Sequence, residues 1–274
     1  MLIGAMNHPM SDPAVEIEQI AKDGFDFVDL SLEPELAVPS LLDPAQIRRR
    51  LDETGLKAVG HTAYFLPITS PIPALRRSAL DFLRECLEFF AAVGIKLVNI
   101  HPGGKTSLYN REWLVQQHID VLGQVLETAG ALGITMMLEN MPPHYNQPND
   151  LRPLFNALPQ LGFHLDVGHA NLDVPLNITG KLLAEFRHQV MHVHLSDNLG
   201  GREDLHLPLG AGKINWPWVA RTLRRFGYDG TITLEVFSQD RNYLLFSKTK
   251  WAQIWEEAGQ SRREDGPRWG DGRK

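Results

Sequence analysis

Between residues 164 and 216 the chain concentrates side chains suited to metal and proton chemistry. The segment FHLDVGHANL carries His164, Asp166 and His169, and the segment HVHLSDNLGGREDLHLPLGAGKINW carries His194, Asp204 and His206. Imidazole nitrogen and carboxylate oxygen together form a donor set for Zn2+, Mn2+ or Co2+, whereas Mg2+ and Ca2+ prefer oxygen-rich sites with fewer histidines. Two short apolar runs, 161–167 and 189–195, read as strands, and each releases Asp166 or His194 near its carboxyl end. His61, His101, Glu139 and Glu235 stand in the same position after other short apolar runs.

Those runs alternate with longer segments of helical period, the pattern of repeated βα units. Strands are expected at 2–6, 25–30, 56–60, 96–100, 134–138, 161–166, 189–195 and 231–234. Asp12-Pro13 and Asp43-Pro44 mark two helix starts, a capping carboxylate followed by a first-turn proline. Gly24, Gly94 and Gly133 mark helix ends. The alternation predicts an α/β protein, a single (β/α)8 TIM barrel over residues 1–260, followed by a flexible charged tail at 261–274. An open doubly wound sheet is disfavoured because no Gly-x-Gly-x-x-Gly turn follows the first strand.

A barrel directs every strand's carboxyl end to one face, so His61, His101, Glu139, Asp166, His194 and Glu235 are expected to converge there. Glu139, Asp166, His194 and Glu235 form the expected metal group, with His61 and His101 as further ligands. His164 and His192 precede Asp166 and His194 by two residues, which places them on the same inward face one layer deeper. His118 and His188 fall in helical segments and are assigned surface or capping roles. Asn140, Asn171, Asp197 and Asn198 suit either ligand orientation and binding of a hydroxyl-rich substrate or turn formation. Tyr64, Phe65 and Trp216 suit either a pocket wall or a cover for the barrel rim.

The 274 residues carry a formal charge of −6, which argues weakly against a broad nucleic-acid surface. The lone cysteine, Cys86, lies in a helical pattern beside Leu83, Leu87 and Phe90 and reads as a buried structural thiol. No stretch approaches the roughly 20 apolar residues of a membrane span, and the amino terminus has no basic leader. A cytoplasmic protein without membrane partners is the expectation. A homo-oligomer is compatible with the sequence.

The motifs GHTAYF, NIHPGG, LEN, HLDVGHAN, HVHLSDN, DLHLPLGAGKI and TLEVF, in this order and at strand ends, resemble the xylose isomerase-like TIM-barrel superfamily. That superfamily includes sugar isomerases, epimerases and endonuclease IV, and the similarity spans nearly all of residues 1–258. The sugar epimerase branch implies that Glu139, Asp166, His194 and Glu235 bind one divalent metal. It further implies proton exchange by Glu139 and Glu235 through an enediolate, and a substrate oxygen held by His169. An arginine found in some epimerases six residues after the metal histidine is replaced by Gly200, with Arg202 as its substitute. The endonuclease IV branch implies three zinc ions on His61, His101, Glu139, Asp166, His169, His194, Asp204, His206 and Glu235.

Departures from the nuclease pattern rank these branches. LEN stands where endonuclease IV has an ETAGQG-like run, and LDVGH stands for its DTCH. The strand-end loops offer chiefly Lys105, Arg152, Arg202 and Lys213 for phosphate contacts, few for a duplex-binding enzyme. The leading expectation is a metal-dependent sugar or sugar-phosphate isomerase or epimerase using one to three ions. Its small-molecule substrate would meet His169, Arg202, Asn140 and Trp216. The alternative is a multi-zinc hydrolase.

Overall fold

The computed structural model describes residues 1–104 and 110–264, so Lys105 lies outside the described residues. Eight parallel strands close into a barrel in sequence order: β1 (Leu2–Met6), β2 (Phe27–Leu32), β3 (Lys57–Thr62), β4 (Leu97–Ile100), β5 (Thr135–Glu139), β6 (Gly162–Asp166), β7 (Val190–Leu195) and β8 (Thr231–Leu234). The helices that follow them are α1 (Pro13–Lys22), α2 (Pro44–Thr54), α3 (Pro73–Val93), α4 (Arg111–Ala131), α5 (Pro148–Ala157), α6 (Thr179–Phe186), α7 (Trp216–Arg225) and α8 (Asn242–Glu264). The α8 helix thus continues past residue 260, the boundary expected for the barrel.

The start signals act as their chemistry demands. Asp12 accepts from the Ala14 amide and Asp43 from the Ala45 amide, each ahead of a proline in the first turn. Gly55 and Gly94 close α2 and α3 with φ of 70° and 90°, a conformation that other residues adopt only at a cost. The largest departure from expectation is β2, which runs two residues later than the apolar pattern suggests. Phe25 bonds back to the Ile20 carbonyl and Asp26 accepts from the Ile3 amide, so both belong to the turn that enters the strand.

Register makes the barrel interior a stack of layers. Phe27, Val59 and Met137 form an apolar plug with Leu2 and Leu97, separate from the main core between sheet and helices. Gly4 makes room for this plug, because a Cβ there would lie 2.4 Å from the Phe27 ring. Two residues further along each strand the inward positions turn polar: Asp29, His61, Asn99, Glu139 and, across β6 and β7, the paired His164 and His192. The next step brings Asp166 opposite His194, with Thr233 beside them on β8. Cys86 is buried in α3 as expected, and burial pushes its thiol pKa up.

Candidate active site and metal centre

The carboxyl ends of the strands open into a cavity of about 580 Å3 whose floor includes His61, His101, Glu139, His169 and Glu235. Glu139 faces four polar side chains. Its Oε2 accepts from Asn99 Nδ2 at 2.6 Å and lies 3.1 Å from both His101 Nε2 and His164 Nδ1, while its Oε1 lies 3.1 Å from His169 Nδ1. Burial raises the pKa of Glu139, but the facing imidazoles of His164 and His101 outweigh burial and hold it well below the usual carboxylate range.

Asp166 and His194 lie side by side through the register of β6 and β7. Asp166 Oδ1 accepts from the His169 amide at 2.6 Å, whereas Oδ2 is buried without a hydrogen-bond partner. Burial, reinforced by Glu139, Glu235 and Asp204, pushes Asp166 up to about 7 against the opposing pull of His169. His194 Nδ1 lies 3.1 Å from Glu235 Oε2 and 3.9 Å from Asp166 Oδ2. Burial lowers the pKa of His194, but Glu235 and Asp29 overcome this and raise it well above 6.5. Glu235 is itself held at about 2, because His206 and His194 outweigh its burial.

The third cluster comes from the loop after β7. Asp204 Oδ2 sits 2.9 Å from His169 Nε2 and 3.1 Å from His206 Nε2. Burial opposes ionisation of Asp204, but these two imidazoles lower its pKa; His206, in turn, rises to about 9 because Glu235 and Asp204 outweigh its burial. His61 goes the other way, down to about 4, through burial and the neighbouring His101.

This donor set fits a divalent cation. Ligand atoms fall within 4.8 Å of one another in the groups Glu139–Asp166–His169, Asp166–His194–Glu235 and His61–His101–Glu139. The expected quartet therefore forms as two groups sharing Asp166, whose buried Oδ2 has no hydrogen-bond partner. Each group places carboxylate oxygens against imidazole nitrogens, an arrangement that needs a proton or a metal ion between them.

Several expected roles change. Trp216 is buried behind the rim, where its Nε1 donates to Asp197 Oδ2 at 2.8 Å, and it does not line the cavity. Asn140 does not line the cavity either: its side chain clamps the Asp166 backbone amide and carbonyl at 2.8 and 3.0 Å. His118 is fully buried in α4 rather than on the surface, against Leu114 O and Tyr145 Oη. Asn171 and Asn198 bond to each other, and Asn198 also donates to Gly168 O. Arg202 does line the cavity, with a side chain 89% exposed and 3.4 Å from Asp173. Tyr64 lines it as well, whereas Phe65 does not.

Residues missed from the sequence form the support beneath the site. Asp29 and Asn99 sit two residues before Ser31 and His101, the same interval that marked His164 and His192. The hydrophobic reading of FVDLSL concealed Asp29. Glu33, just beyond β2, also lines the cavity, and burial raises its pKa. Once β2 is placed at 27–32, Glu33 becomes a strand-end carboxylate like Glu139 and Glu235.

Fold and site together define a TIM-barrel protein whose polar centre lies at the carboxyl ends of the strands. More narrowly, the chain belongs to the xylose isomerase-like TIM barrel family, whose profile matches residues 17–264. It is 26% identical over 247 residues to the L-ribulose-5-phosphate 3-epimerase UlaE of Shigella flexneri, covering 84% of each chain. It is 27% identical over 177 residues to a probable endonuclease 4 of Aster yellows witches'-broom phytoplasma, covering 58% of this chain and 60% of that one. Among solved structures, a D-tagatose 3-epimerase-like protein superposes with a TM-score of 0.81 at 24% identity, covering 95% of this chain and 99% of that one; at that identity the likeness concerns the fold. Among the described residues, no helix is long and apolar enough to cross a membrane.

Proposed function

We propose that this protein is a divalent-metal-dependent isomerase or epimerase of sugars or sugar phosphates. The observation that carries the reading is the pair of buried carboxylates, Glu139 and Glu235, on the floor of one cavity and each grouped with Asp166. Glu139, Asp166, His194 and Glu235 would hold the cation, Zn2+, Mn2+ or Co2+. The bound cation would polarise the carbonyl and hydroxyl oxygens of the substrate.

The remaining work falls to side chains. Glu235, held ionised by His194 and His206, removes the proton from the carbon next to the carbonyl. Glu139, ionised at rest, takes a proton from the facing His169, 3.1 Å from its Oε1, and delivers it to the carbon from the other side, while His101, His164 and Asn99 orient it. His169 holds a substrate oxygen, and Arg202 at the mouth meets the distal end of the sugar, including a phosphate where one is present. The likeness to UlaE supports this reading, since its name describes a 3-epimerase of a phosphorylated ketose.

Deuterium uptake from D2O tests the proposal across a panel of ketoses and ketose phosphates with metal-loaded protein. Wild type should exchange one carbon-bound proton, and Glu235→Gln and Glu139→Gln should lose exchange even at metal concentrations that saturate the weakened site. Absence of exchange from every member would refute the enolisation chemistry.

A second reading, a multi-zinc hydrolase, is favoured by the remaining clusters. His61, His101 and Glu139 form a metal-capable group, and Asp204 bridges His169 and His206. Metal content per chain separates the two, with about one Mn2+ or Co2+ expected for the epimerase and about three Zn2+ for the hydrolase. Hydrolysis of a phosphodiester, with duplex DNA as the substrate, is the matching activity test.

A further inference from the structure

Beneath the proposed metal residues lies a negative charge to which the proposed reaction assigns no step. Asp29 projects from the middle of β2 and is fully buried. Its Oδ2 faces three groups at once: His194 Nε2 at 2.7 Å, Thr233 Oγ1 at 2.9 Å and His192 Nε2 at 3.3 Å. Its Oδ1 has no hydrogen-bond partner and lies 3.9 Å from His61 Nδ1. An isolated carboxylate at this depth would be strongly disfavoured, so its position has to be explained by what it holds.

An ionised carboxylate can only accept, so at 2.7 Å the hydrogen must sit on His194 Nε2. The opposite tautomer would set a nitrogen lone pair against an oxygen lone pair at that distance. With Nε2 carrying the hydrogen, a neutral His194 presents a bare Nδ1, the atom that faces Glu235 Oε2 and Asp166 Oδ2. The ring has little freedom to turn over, because it stacks on His61 with centroids 5.4 Å apart and meets His164 edge-on at 4.1 Å.

We propose that Asp29 is a positioning residue that fixes His194 as the Nε2–H tautomer and thereby presets its Nδ1 as a ligand for the divalent cation shared with Asp166 and Glu235. Thr233 and His192 complete the arrangement by pinning the same carboxylate oxygen from β8 and β7. This inference rests on the metal-dependent reading of the site, but the epimerase and hydrolase alternatives use His194 in the same way. A carboxylate behind a metal-binding histidine typically contributes 10- to 100-fold in affinity.

The test uses Zn2+ alone as the probe. Long-range 1H–15N correlation spectra of the zinc-loaded wild-type protein should show His194 protonated at Nε2 and metallated at Nδ1. Competition with a chelator should then show Zn2+ binding weakened about 10- to 100-fold in Asp29→Ala, and less in Asp29→Asn, whose amide oxygen still accepts. Circular dichroism establishes that each variant is folded before its affinity is compared. Metallation of His194 through Nε2, or folded variants with wild-type affinity, would overturn the proposal. The wild-type spectrum decides the matter even where a variant does not fold. A wild-type protein that binds no divalent cation would instead overturn the metal-dependent reading itself.

Discussion

Replacing Asp197 by Asn should loosen the segment that delivers Asp204 and His206 to the site. Asp197 is fully buried just beyond β7, and each of its oxygens serves two donors. Oδ1 accepts from the amides of Asn198 at 2.9 Å and Ile214 at 3.2 Å; Oδ2 accepts from the Gly210 amide at 2.7 Å and the Trp216 indole at 2.8 Å. Paired backbone bonds between Asp197 and Leu207, at 2.9 and 2.8 Å, tie the other side of the loop. These contacts also hold His206 at a φ of +45°, an unfavourable conformation for a residue with a Cβ. The amide of Asn keeps one acceptor and turns a donor toward two others, so two charge-assisted bonds are lost and two buried N–H groups are left facing NH2. At about 1.5–3 kcal/mol for each bond to a charged group, the cost is about 3–6 kcal/mol. That is a large share of the roughly 5–15 kcal/mol that stabilises a domain. Urea unfolding followed by circular dichroism reads the loss as a lower midpoint at unchanged slope. A change below about 1 kcal/mol would refute the view that this carboxylate organises the loop.

Further outcomes follow from the same structure. His118 is held at about 4 by burial against an unperturbed 6.5, so its contribution to stability is fully present above pH 6.5 and is lost as pH falls toward 4. His118→Leu should flatten the pH dependence of stability in that window by one proton, up to about 1.4 kcal/mol per pH unit; an unchanged slope would contradict it. Gly4→Ala would drive a methyl into the Phe27 ring and should cost about 1–3 kcal/mol, measured as a lower denaturation midpoint with strand pairing retained. Arg202→Ala should leave stability within about 0.5 kcal/mol, since the side chain is exposed, yet raise KM for a phosphorylated ketose more than it changes kcat. Equal KM values for wild type and variant would remove Arg202 from substrate binding.

Much of this architecture was legible from local signals. Capping carboxylates, first-turn prolines and left-handed glycines are read within a few residues, and they set the starts of α1 and α2 and the end of α3 close to where they are observed. The strand-end rule also led to Glu139 and Glu235, because a barrel forces all such positions onto one face. It failed at β2, where Phe25 and Asp26 of the entering turn read as strand and shift the apparent end away from Glu33. Asp29 was concealed for a related reason. Inside an apolar run a single carboxylate carries no sign of the partners that make its burial tolerable, and those partners lie more than 160 residues away on β7.

Roles that depend on where a side chain turns were less legible still. Asn140, Asp197 and Trp216 have polar atoms suited to a substrate, but nearby backbone groups, and for the Trp216 indole the Asp197 carboxylate, take them first. By itself the sequence determined the order of βα units, the barrel class and most of the metal-capable side chains, because periodicity and end signals act over short stretches of chain. Only the tertiary structure decided which of those side chains share an atom-to-atom neighbourhood, that Asp166 links two groups, and that Asp29 lies beneath His194. Register between strands distant in sequence and the burial it imposes set those distances, and neither is encoded in any local segment.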